Sequence, residues 1–347
     1  MLNILRKKSF YAVLASAVCL TAFGAHADDR LNAGGSSFVY PIMSQWASEY
    51  GAAKHVQVNY QSVGSGAGIQ QMTAKTFDFG CSDGPMNEEQ LGKAKATGGD
   101  VVHIPLVMGA VVPAYNLPEV KEPVNFSGSV LADIFLGKIT KWNDKAIKKL
   151  NPGIKLPDEA IAVVHRSDGS GTSYIFTDYL SKVSPEWKTK VGTATSVNWP
   201  AGEGQKGNEG VAGQVRRMPG AIGYIELIYA LQNDIQYGAV QNSSGKFVRG
   251  SLESVTAAAN GALANIPDDL RYSITNAPGE GSYPISGTTW AILYVNQPKD
   301  KGQQIVEFLR WVTHGGQQDT MALHYAALPS GLVARLDKKL DSIRLAQ

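Results

Sequence analysis

Cysteine is scarce in this 347-residue sequence, which contains only Cys19 and Cys81. Cys19 lies in an N-terminal segment that we expect to be cleaved, and a single remaining thiol cannot form an internal disulfide. The folded chain must therefore be stabilised by a large hydrophobic core, which a chain of this length can supply. We expect Cys81 to be a small buried side chain and not a reactive group.

Motifs for metal, nucleotide and nucleophilic chemistry are also missing from the sequence. The histidines show no His-Glu-x-x-His spacing, no Gly-x-x-x-x-Gly-Lys-[Ser/Thr] loop occurs, and Ser170 does not lie in a Gly-x-Ser-x-Gly elbow. The segment 202–207 matches a dinucleotide fingerprint formally, but Trp199 and Pro200 stand where a buried strand should precede it. We interpret 202–207 as a loop. These absences predict no cofactor and no metal, and argue against an enzyme.

A strong net charge is absent as well. The formal net charge is +2, and removal of the basic residues at 6–8, with no acidic residue before position 28, turns it into −1. A nearly neutral protein lacks the broad positive field that attracts nucleic acid. We therefore expect no nucleic-acid partner, and any site for an anion must be local.

Long apolar runs of membrane-spanning length do not occur. The apolar stretch at 10–23 is shorter than the roughly 18 residues that a spanning helix needs. It follows the basic residues 6–8 and precedes Ala25-His26-Ala27, and this order is typical of a cleaved secretory signal peptide over 1–27. The remaining chain of about 320 residues is predicted to be soluble, exported and divided into two domains.

Two alternatives to cleavage after residue 27 stay open. An uncleaved N-terminal anchor would keep the apolar stretch, and a lipoprotein would be modified on Cys19. The second alternative is disfavoured by Val18, because a small residue is expected before a lipidated cysteine.

Three stretches of the chain share one design: a strand-like run, a turn rich in glycine and serine, and then a helical pattern. They lie at 31–50, 56–72 and 161–183, with turns at 34–38 (the first turn), 64–68 (the second turn) and 166–173 (the third turn). Alternating strands and helices predict an α/β protein whose sheets are covered on both faces. Further strands are predicted at 101–112, 220–229 and 288–295, further helices at 130–136, 210–217 and 302–313, and connections between domains at 116–126 and 275–284.

Each of these turns is suited to binding an anion. Free backbone N–H groups at a helix N-terminus lie at the positive end of the helix dipole, and serine and threonine hydroxyls add donors. One such turn is equally typical of an ordinary helix cap, but three in one chain favour a function. The third turn also contains Arg166, whose planar guanidinium suits a tetrahedral oxyanion.

A carboxylate completes the pattern. Asp83, in the loop predicted at 78–85, taken alone is typical of a turn. Together with the three turns, however, the segment at 78–83 closely resembles the periplasmic phosphate-binding proteins of the bacterial phosphate ABC transporter, within the solute-binding protein superfamily. The resemblance continues through the segments 135–144, 219–224 and 325–329, so it covers essentially the whole chain after residue 27.

This resemblance implies a type II-like, two-lobed α/β fold, with each lobe a mixed sheet flanked by helices. Lobe I would comprise 28–112 with 283–347, lobe II would comprise 113–282, and the ligand would bind in the cleft between them. The implied partners are inorganic phosphate, membrane permease subunits and a cytoplasmic ATPase, with the protein itself a periplasmic monomer. The implied phosphate contacts are Ser37, Phe38, Ser65, Asp83, Arg166, Ser170, Gly171 and Thr172, with Asp168 holding the Arg166 fork.

One departure from the family pattern is Ser37, which stands where threonine is common. The hydroxyl is kept and a methyl group is lost, so packing should change more than specificity.

An acid that faces an anion predicts selectivity. Monobasic and dibasic phosphate carry a proton that ionised Asp83 can accept, whereas sulfate at neutral pH has none and would be repelled. Two alternatives remain: a phosphatase-like enzyme on the same fold, and a binder of another oxyanion such as sulfate. His165 adjoins Arg166, but a residue at a strand end is more often structural than catalytic.

Overall fold

The computed structural model describes residues 30–346, so the predicted signal peptide at 1–27 lies outside the described residues. Strands and helices alternate over most of the chain, as the sequence predicts. The strands are β1 Arg30–Gly35, β2 Gln57–Ser62, β3 Phe79–Ser82, β4 Val101–Tyr115, β5 Asn125–Phe126, β6 Ala162–Arg166, β7 Glu203–Gln205, β8 Ala221–Glu226, β9 Gln236–Tyr237, β10 Ala239–Gln241, β11 Phe247–Arg249, β12 Ser286–Tyr294, β13 Asn296–Gln297 and β14 Arg344–Leu345. The helices are α1 Tyr40–Lys54, α2 Ser65–Thr73, α3 Glu88–Gly98, α4 Gly128–Phe135, α5 Lys145–Leu150, α6 Gly171–Val183, α7 Pro185–Lys190, α8 Gly207–Arg217, α9 Leu227–Gln232, α10 Leu252–Ala262, α11 Lys299–Thr313 and α12 Ser330–Asp341, with short 3₁₀ turns at Leu263–Asn265, Gly315–Asp319 and Met321–Leu323.

One large mixed sheet organises the molecule. Its strand order is β2-β1-β3-β12-β4-β8-β6-β7, and β9 also pairs with β4. Strand β1 is parallel to β2 and β3, and β6 is parallel to β7 and β8, whereas β4 and β12 introduce the antiparallel pairs. Two small sheets, β11-β10-β5 and β13-β14, lie apart from it.

Strand β4 joins the two halves of this sheet. Its residues up to Ala110 pair with β12, and its residues from Val111 onward pair with β8 and β9. The chain thus passes from one half to the other inside a strand. The prediction that the chain crosses between the two halves at 116–126 is therefore wrong. Asn116 already belongs to the second half, because its N–H donates to Ala221 O. The prolines within β4 do not interrupt the strand.

A bulge in the β4–β12 pair accommodates one of these prolines. The register shifts between Thr289 and Trp290, so that Thr289 pairs with Val107 and Trp290 pairs with Pro105. Proline has no N–H for the ladder, and an irregularity at this point removes the need for one. Thr289, whose side chain matters for the site below, lies directly at this shift.

The helices follow the apolar periodicity of the sequence. Helix α1 begins with Pro41 in its first turn and buries Ile42, Trp46 and Tyr50 on one face, as predicted. Helix α6 begins after Ser170, whose hydroxyl caps the helix by accepting the Ser173 N–H at 3.0 Å. Both helices pack on the sheet through a continuous buried core.

Three local predictions are wrong. The segment 220–229 is not one strand, because β8 ends at Glu226, whose carboxylate accepts the Ile228 N–H and caps α9. The segment 202–207 is not a loop but contains β7, which is parallel to β6, and leads into α8. Within 78–85, Phe79–Ser82 forms the buried strand β3. In each case tertiary pairing decided a short segment that local patterns could not.

Aromatic rings fill much of the core of the second half. His165 stacks on Trp199 with ring centroids 4.9 Å apart, and its Nδ1 lies 3.0 Å from Arg166 O. These contacts give His165 a packing role in positioning the end of β6. Within residues 30–346, none of the helices combines the length and apolarity that a membrane span requires.

Cys81 is fully buried in β3, and burial raises the pKa of its thiol. Because the thiolate is the reactive form, we expect a chain that starts at residue 28 to show no rapid reaction with a thiol reagent in native buffer. One thiol per chain should appear in denaturant. Immediate stoichiometric reaction of the folded protein would contradict this burial.

Candidate functional site

The first turn is held from behind by three tyrosine hydroxyls. In a trans peptide the C=O and the following N–H point in opposite directions. Fixing three successive carbonyls therefore orients the next three amides, at residues 37–39, to the opposite side, at the start of α1. The hydroxyls that donate are Tyr60 to Ser36 O (2.8 Å), Tyr229 to Ser37 O (2.6 Å) and Tyr325 to Phe38 O (2.6 Å).

The third turn places a buried guanidinium at the end of β6. The Arg166 side chain is 1% exposed, and it donates to Asp168 through Nε (2.8 Å to Oδ1) and Nη2 (2.5 Å to Oδ2). Its Nη1 reaches Thr172 Oγ1 at 3.3 Å. Burial raises the pKa of Asp168, but the Arg166 charge and hydrogen bonds outweigh that effect and leave it below its usual value. Asp168 is thus a charged brace that fixes the fork.

The N-terminus of α6 lies against Asp83. A Cβ added to Gly171 would lie 2.4 Å from Asp83 Oδ2 and 2.5 Å from Ser65 Oγ. Only glycine therefore allows this approach. The first amides of α6, at Gly171 and Thr172, carry the positive end of the helix dipole to the same place.

The second turn contacts the third. Gly66 N–H donates to Gly169 O at 2.8 Å, and a Cβ on Gly66 would lie 3.1 Å from Gly169 Cα. Gly64, with φ +91, approaches Asp168 closely. The glycines of the second and third turns thus let two helix N-termini, those of α2 and α6, meet almost backbone to backbone.

Asp83 faces this cluster from the end of β3 and is 2% exposed. Burial raises its pKa to about 6, against the lowering effect of hydrogen bonds from Ser36 and Thr289 and of the Arg166 charge. The carboxyl is therefore mostly ionised at neutral pH and becomes protonated in mild acid.

Asn208 bridges the first and third turns. Its Nδ2 donates to Ser37 Oγ at 3.0 Å and to Thr172 Oγ1 at 3.1 Å, and its backbone N–H donates to Ser37 Oγ at 3.2 Å. Its Oδ1 accepts the Glu226 N–H at 2.9 Å. Asn208 therefore ties the two turns to the end of β8.

Sequence reasoning missed several groups of this site. Asn208 lies at the start of α8, directly after the segment that we predicted as a loop, so a strand–turn–helix reading of 203–217 would have found it. Ser36 lies in the first turn and Tyr60 in the strand before the second turn, but nothing local showed that Ser36 meets Asp83 or that Tyr60 meets Ser36. Thr289, Tyr229 and Tyr325 come from distant parts of the chain and carry no local signal.

A second carboxyl, that of Glu226, lies close by. Glu226 is fully buried, and burial raises its pKa well above the usual range. Among Arg166, Asp168 and Asp83, one cation faces two anions. Attraction for an anion must therefore come from oriented amides, hydroxyls and the guanidinium fork, not from net charge.

Every predicted site residue lies on one of the segments that meet here, and all but Asp168, whose side chain is 13% exposed, are buried. The donors surround a single acceptor carboxylate, a combination that suits a tetrahedral oxyanion that still carries a proton. Among residues 30–346, no group of three or more His, Cys, Asp or Glu side chains is placed to hold a metal ion. The predicted residues are Ser37, Phe38, Ser65, Asp83, Arg166, Asp168, Ser170, Gly171 and Thr172.

Comparison with known proteins shows the family of this chain. Residues 21–315 match the model of the PBP superfamily domain. The chain is 49% identical over 312 residues to a phosphate-binding protein PstS of Xylella fastidiosa, covering 89% of this chain and 84% of that protein. It is 43% identical over 333 residues to the PstS of Pasteurella multocida, covering 95% and 94%.

Solved structures share the fold. The phosphate-binding protein of Stenotrophomonas maltophilia superposes with a TM-score of 0.65 at 20% identity, covering 90% of this chain and 93% of that one. The mixed α/β architecture expected from the sequence is thereby confirmed. The chain belongs to the PBP superfamily and, within it, to the family of the PstS phosphate-binding proteins.

Proposed function

We propose that this protein binds inorganic phosphate outside the cytoplasm and delivers it to an ABC-type importer. The observation that carries the proposal is the convergence of Arg166, Asp83 and the N-terminus of α6 in one buried cluster. The PstS relatives, which are named phosphate-binding proteins, support the same ligand.

The phosphate oxygens would be held by hydroxyls, amides and the guanidinium together. Arg166 would donate through its fork while Asp168 keeps the fork in place, and Asp83 would accept the phosphate proton. Each phosphate oxygen then meets a group whose direction the fold already fixes, so little ordering of side chains is left to occur on binding. The proposed contacts are Ser37, Phe38, Ser65, Asp83, Arg166, Ser170, Gly171 and Thr172.

Binding would close two lobes, 28–112 with 283–347 and 113–282. The switch of partners within β4 at Ala110 and Val111 supports a boundary close to residue 112. On this division Gly66–Gly169, Asn208–Ser37 and Tyr229–Ser37 are contacts between lobes. Phosphate would favour the closed state by adding contacts that only this state offers.

Delivery requires partners that this chain does not contain. We propose that residues 1–27 direct export to the periplasm, and that the closed monomer docks on permease subunits driven by a cytoplasmic ATPase. The names of the relatives and the order of charge, apolar run and small residues in the first 27 positions support this assignment.

Binding without turnover is expected. The Ser170 hydroxyl caps α6, and the imidazole nearest to Arg166, that of His165, is committed to Trp199 and a backbone carbonyl. The chain from residue 28 should take up one phosphate per molecule in calorimetry and release no product from a chromogenic phosphomonoester. Sustained hydrolysis that tracks the protein through purification would establish the phosphatase alternative instead.

The contact between the second and third turns should be sensitive to a single methyl group. Gly66→Ala places a Cβ 3.1 Å from Gly169 Cα and should push the turns apart by a few tenths of an ångström. We expect phosphate affinity to fall about tenfold, because misplaced donors lose much of their strength. Calorimetry measures this change.

Gly92→Ala is the matched control, since nothing lies within 4 Å of its added Cβ on α3. It should leave phosphate affinity unchanged. Equal affinities for the Gly66 and Gly92 variants would contradict closure through this contact.

A further inference from the structure

The two carboxylate oxygens of Asp83 have unequal surroundings. Oδ1 accepts Ser36 Oγ at 2.6 Å and Thr289 Oγ1 at 2.6 Å. Oδ2 shares the Ser36 hydroxyl at 2.7 Å and has Ser65 Oγ at the longer distance of 3.4 Å. An ionised carboxylate has about four acceptor positions, so the unused capacity lies mainly on Oδ2.

Oδ2 is also the oxygen that lies beside the N-terminus of α6, where we expect the anion to bind. A Cβ added to Gly171, the first residue of α6, would lie only 2.4 Å from this oxygen. Oδ1 is the oxygen bonded from Ser36 and from the bulged strand β12, through Thr289. The carboxylate is thus presented to the site by one particular oxygen.

The Ser36 hydroxyl has a fixed direction. Its oxygen accepts the Phe38 N–H at 3.0 Å, so its proton is free to point at Asp83. The Thr289 hydroxyl donates to the same carboxylate, although Thr289 is 206 positions from Asp83 in the sequence. Thr289 lies at the register shift in β12. Both hydroxyls donate to the carboxylate, and such bonds favour the ionised form of the acid over the protonated form.

The other ionisable groups around Asp83 do not replace these hydroxyls. Arg166 favours its ionisation from β6, while Tyr60 on β2 and Cys81 on β3 are neutral, since burial raises the pKa of each. Burial also raises the pKa of Glu226 at the end of β8 and that of Tyr325 before α12. The Arg166 cation and the hydroxyls of Ser36, Thr289 and, last in effect, Ser65 therefore oppose the burial of the charge.

We infer that Ser36 and Thr289 are specificity-determining positioning residues, which occupy Oδ1, keep Asp83 ionised and leave Oδ2 to accept the proton of phosphate. The inference rests on the proposed function. When either hydroxyl is lost, Asp83 should hold its own proton at higher pH. A protonated Asp83 can donate a hydrogen bond to a sulfate oxygen, so the site should then bind sulfate as well.

The test is an isosteric pair at position 289 in the chain from residue 28. Thr289→Val removes the hydroxyl and keeps the shape, whereas Thr289→Ser keeps the hydroxyl. The carboxyl ¹³C signal of Asp83, assigned by its loss in Asp83→Asn, is titrated with pH in phosphate-free protein. Sulfate competition against phosphate is measured over the same pH range.

We expect the Asp83 midpoint of Thr289→Val to move upward by about one pH unit. The pH below which sulfate competes should move with it, and Thr289→Ser should remain close to the wild type. Thr288→Val is the matched control, because Thr288 is buried on the same strand but contacts Tyr272 Oη at 3.4 Å and not Asp83. It should shift neither midpoint.

Unchanged midpoints in Thr289→Val, with phosphate still bound and sulfate still rejected, would overturn the inference and leave the proposed function standing. Failure of the wild type to bind phosphate would overturn both. If Thr289→Val does not fold, the same two measurements are made on Ser36→Ala. An unchanged Asp83 titration midpoint in that variant equally overturns the inference.

Discussion

Arg166→Ala is expected to weaken phosphate binding by about 3–5 kcal/mol, a loss of roughly a hundredfold to several thousandfold. The guanidinium is 1% exposed and fixed by two hydrogen bonds to Asp168. Its removal deprives phosphate of the one full positive charge of the site and leaves the Asp168 carboxylate, 13% exposed, without its partner. A charge left unpaired in a largely buried site is costly, so the loss exceeds that of an ordinary hydrogen bond.

The variant Arg166→Lys separates charge from geometry. A lysine keeps the charge but cannot make the bidentate contact with Asp168, so its affinity should fall between those of the wild type and Arg166→Ala. Arg217→Ala on the surface of α8 is the control and should bind as the wild type does. Isothermal calorimetry at pH 7, with circular dichroism to verify folding, makes the comparison. A loss of less than tenfold for Arg166→Ala would show that phosphate binds elsewhere.

Asp83→Asn is expected to admit sulfate. Two unit charges about 3 Å apart repel by about 5 kcal/mol at an effective dielectric of 20, and the substitution removes that repulsion while keeping size and shape. The amide oxygen can still accept from Ser36 and Thr289. Its N–H group can donate to either anion, so phosphate binding should persist within about tenfold.

Sulfate affinity of Asp83→Asn should rise by at least about a hundredfold, which is a conservative share of the repulsion removed. Competition calorimetry of phosphate against sulfate at pH 8 measures the ratio directly. Asp78→Asn provides a control. Asp78 directly precedes β3, at the opposite end of that strand from Asp83, and its carboxylate accepts the Asn32 N–H outside the cluster. Continued exclusion of sulfate by Asp83→Asn would mean that shape alone selects the ligand.

Local sequence patterns carried much of the fold. Period-two alternation before the second turn predicted β2, and apolar spacing after the third turn predicted α6, because a strand and a helix each impose their own repeat. Arg166 was singled out because it stands in the third turn, and the role of Asp168 was implied by the resemblance to the phosphate-binding proteins. The two residues are close in sequence and their side chains meet across the third turn.

The groups that were missed meet across long distances in sequence. Thr289, which lies at the register shift in β12, reaches Asp83 from a separation of 206 residues, and Asn208 reaches Ser37 from a separation of 171 residues. No periodicity records such contacts. The three tyrosines behind the first turn are similar, since buried aromatic residues in a sequence predict core and not hydroxyl donors.

Competition between phosphate and sulfate across pH, on the chain from residue 28, tests the central claim most directly. Burial raises the pKa of Asp83 to about 6, so above this pH the ionised acid should exclude sulfate while phosphate, still protonated, binds at one site per chain. Sulfate should begin to compete only as the pH falls below about 6. Equal competition by sulfate at pH 8 would contradict the pairing of a protonated oxyanion with an ionised acid.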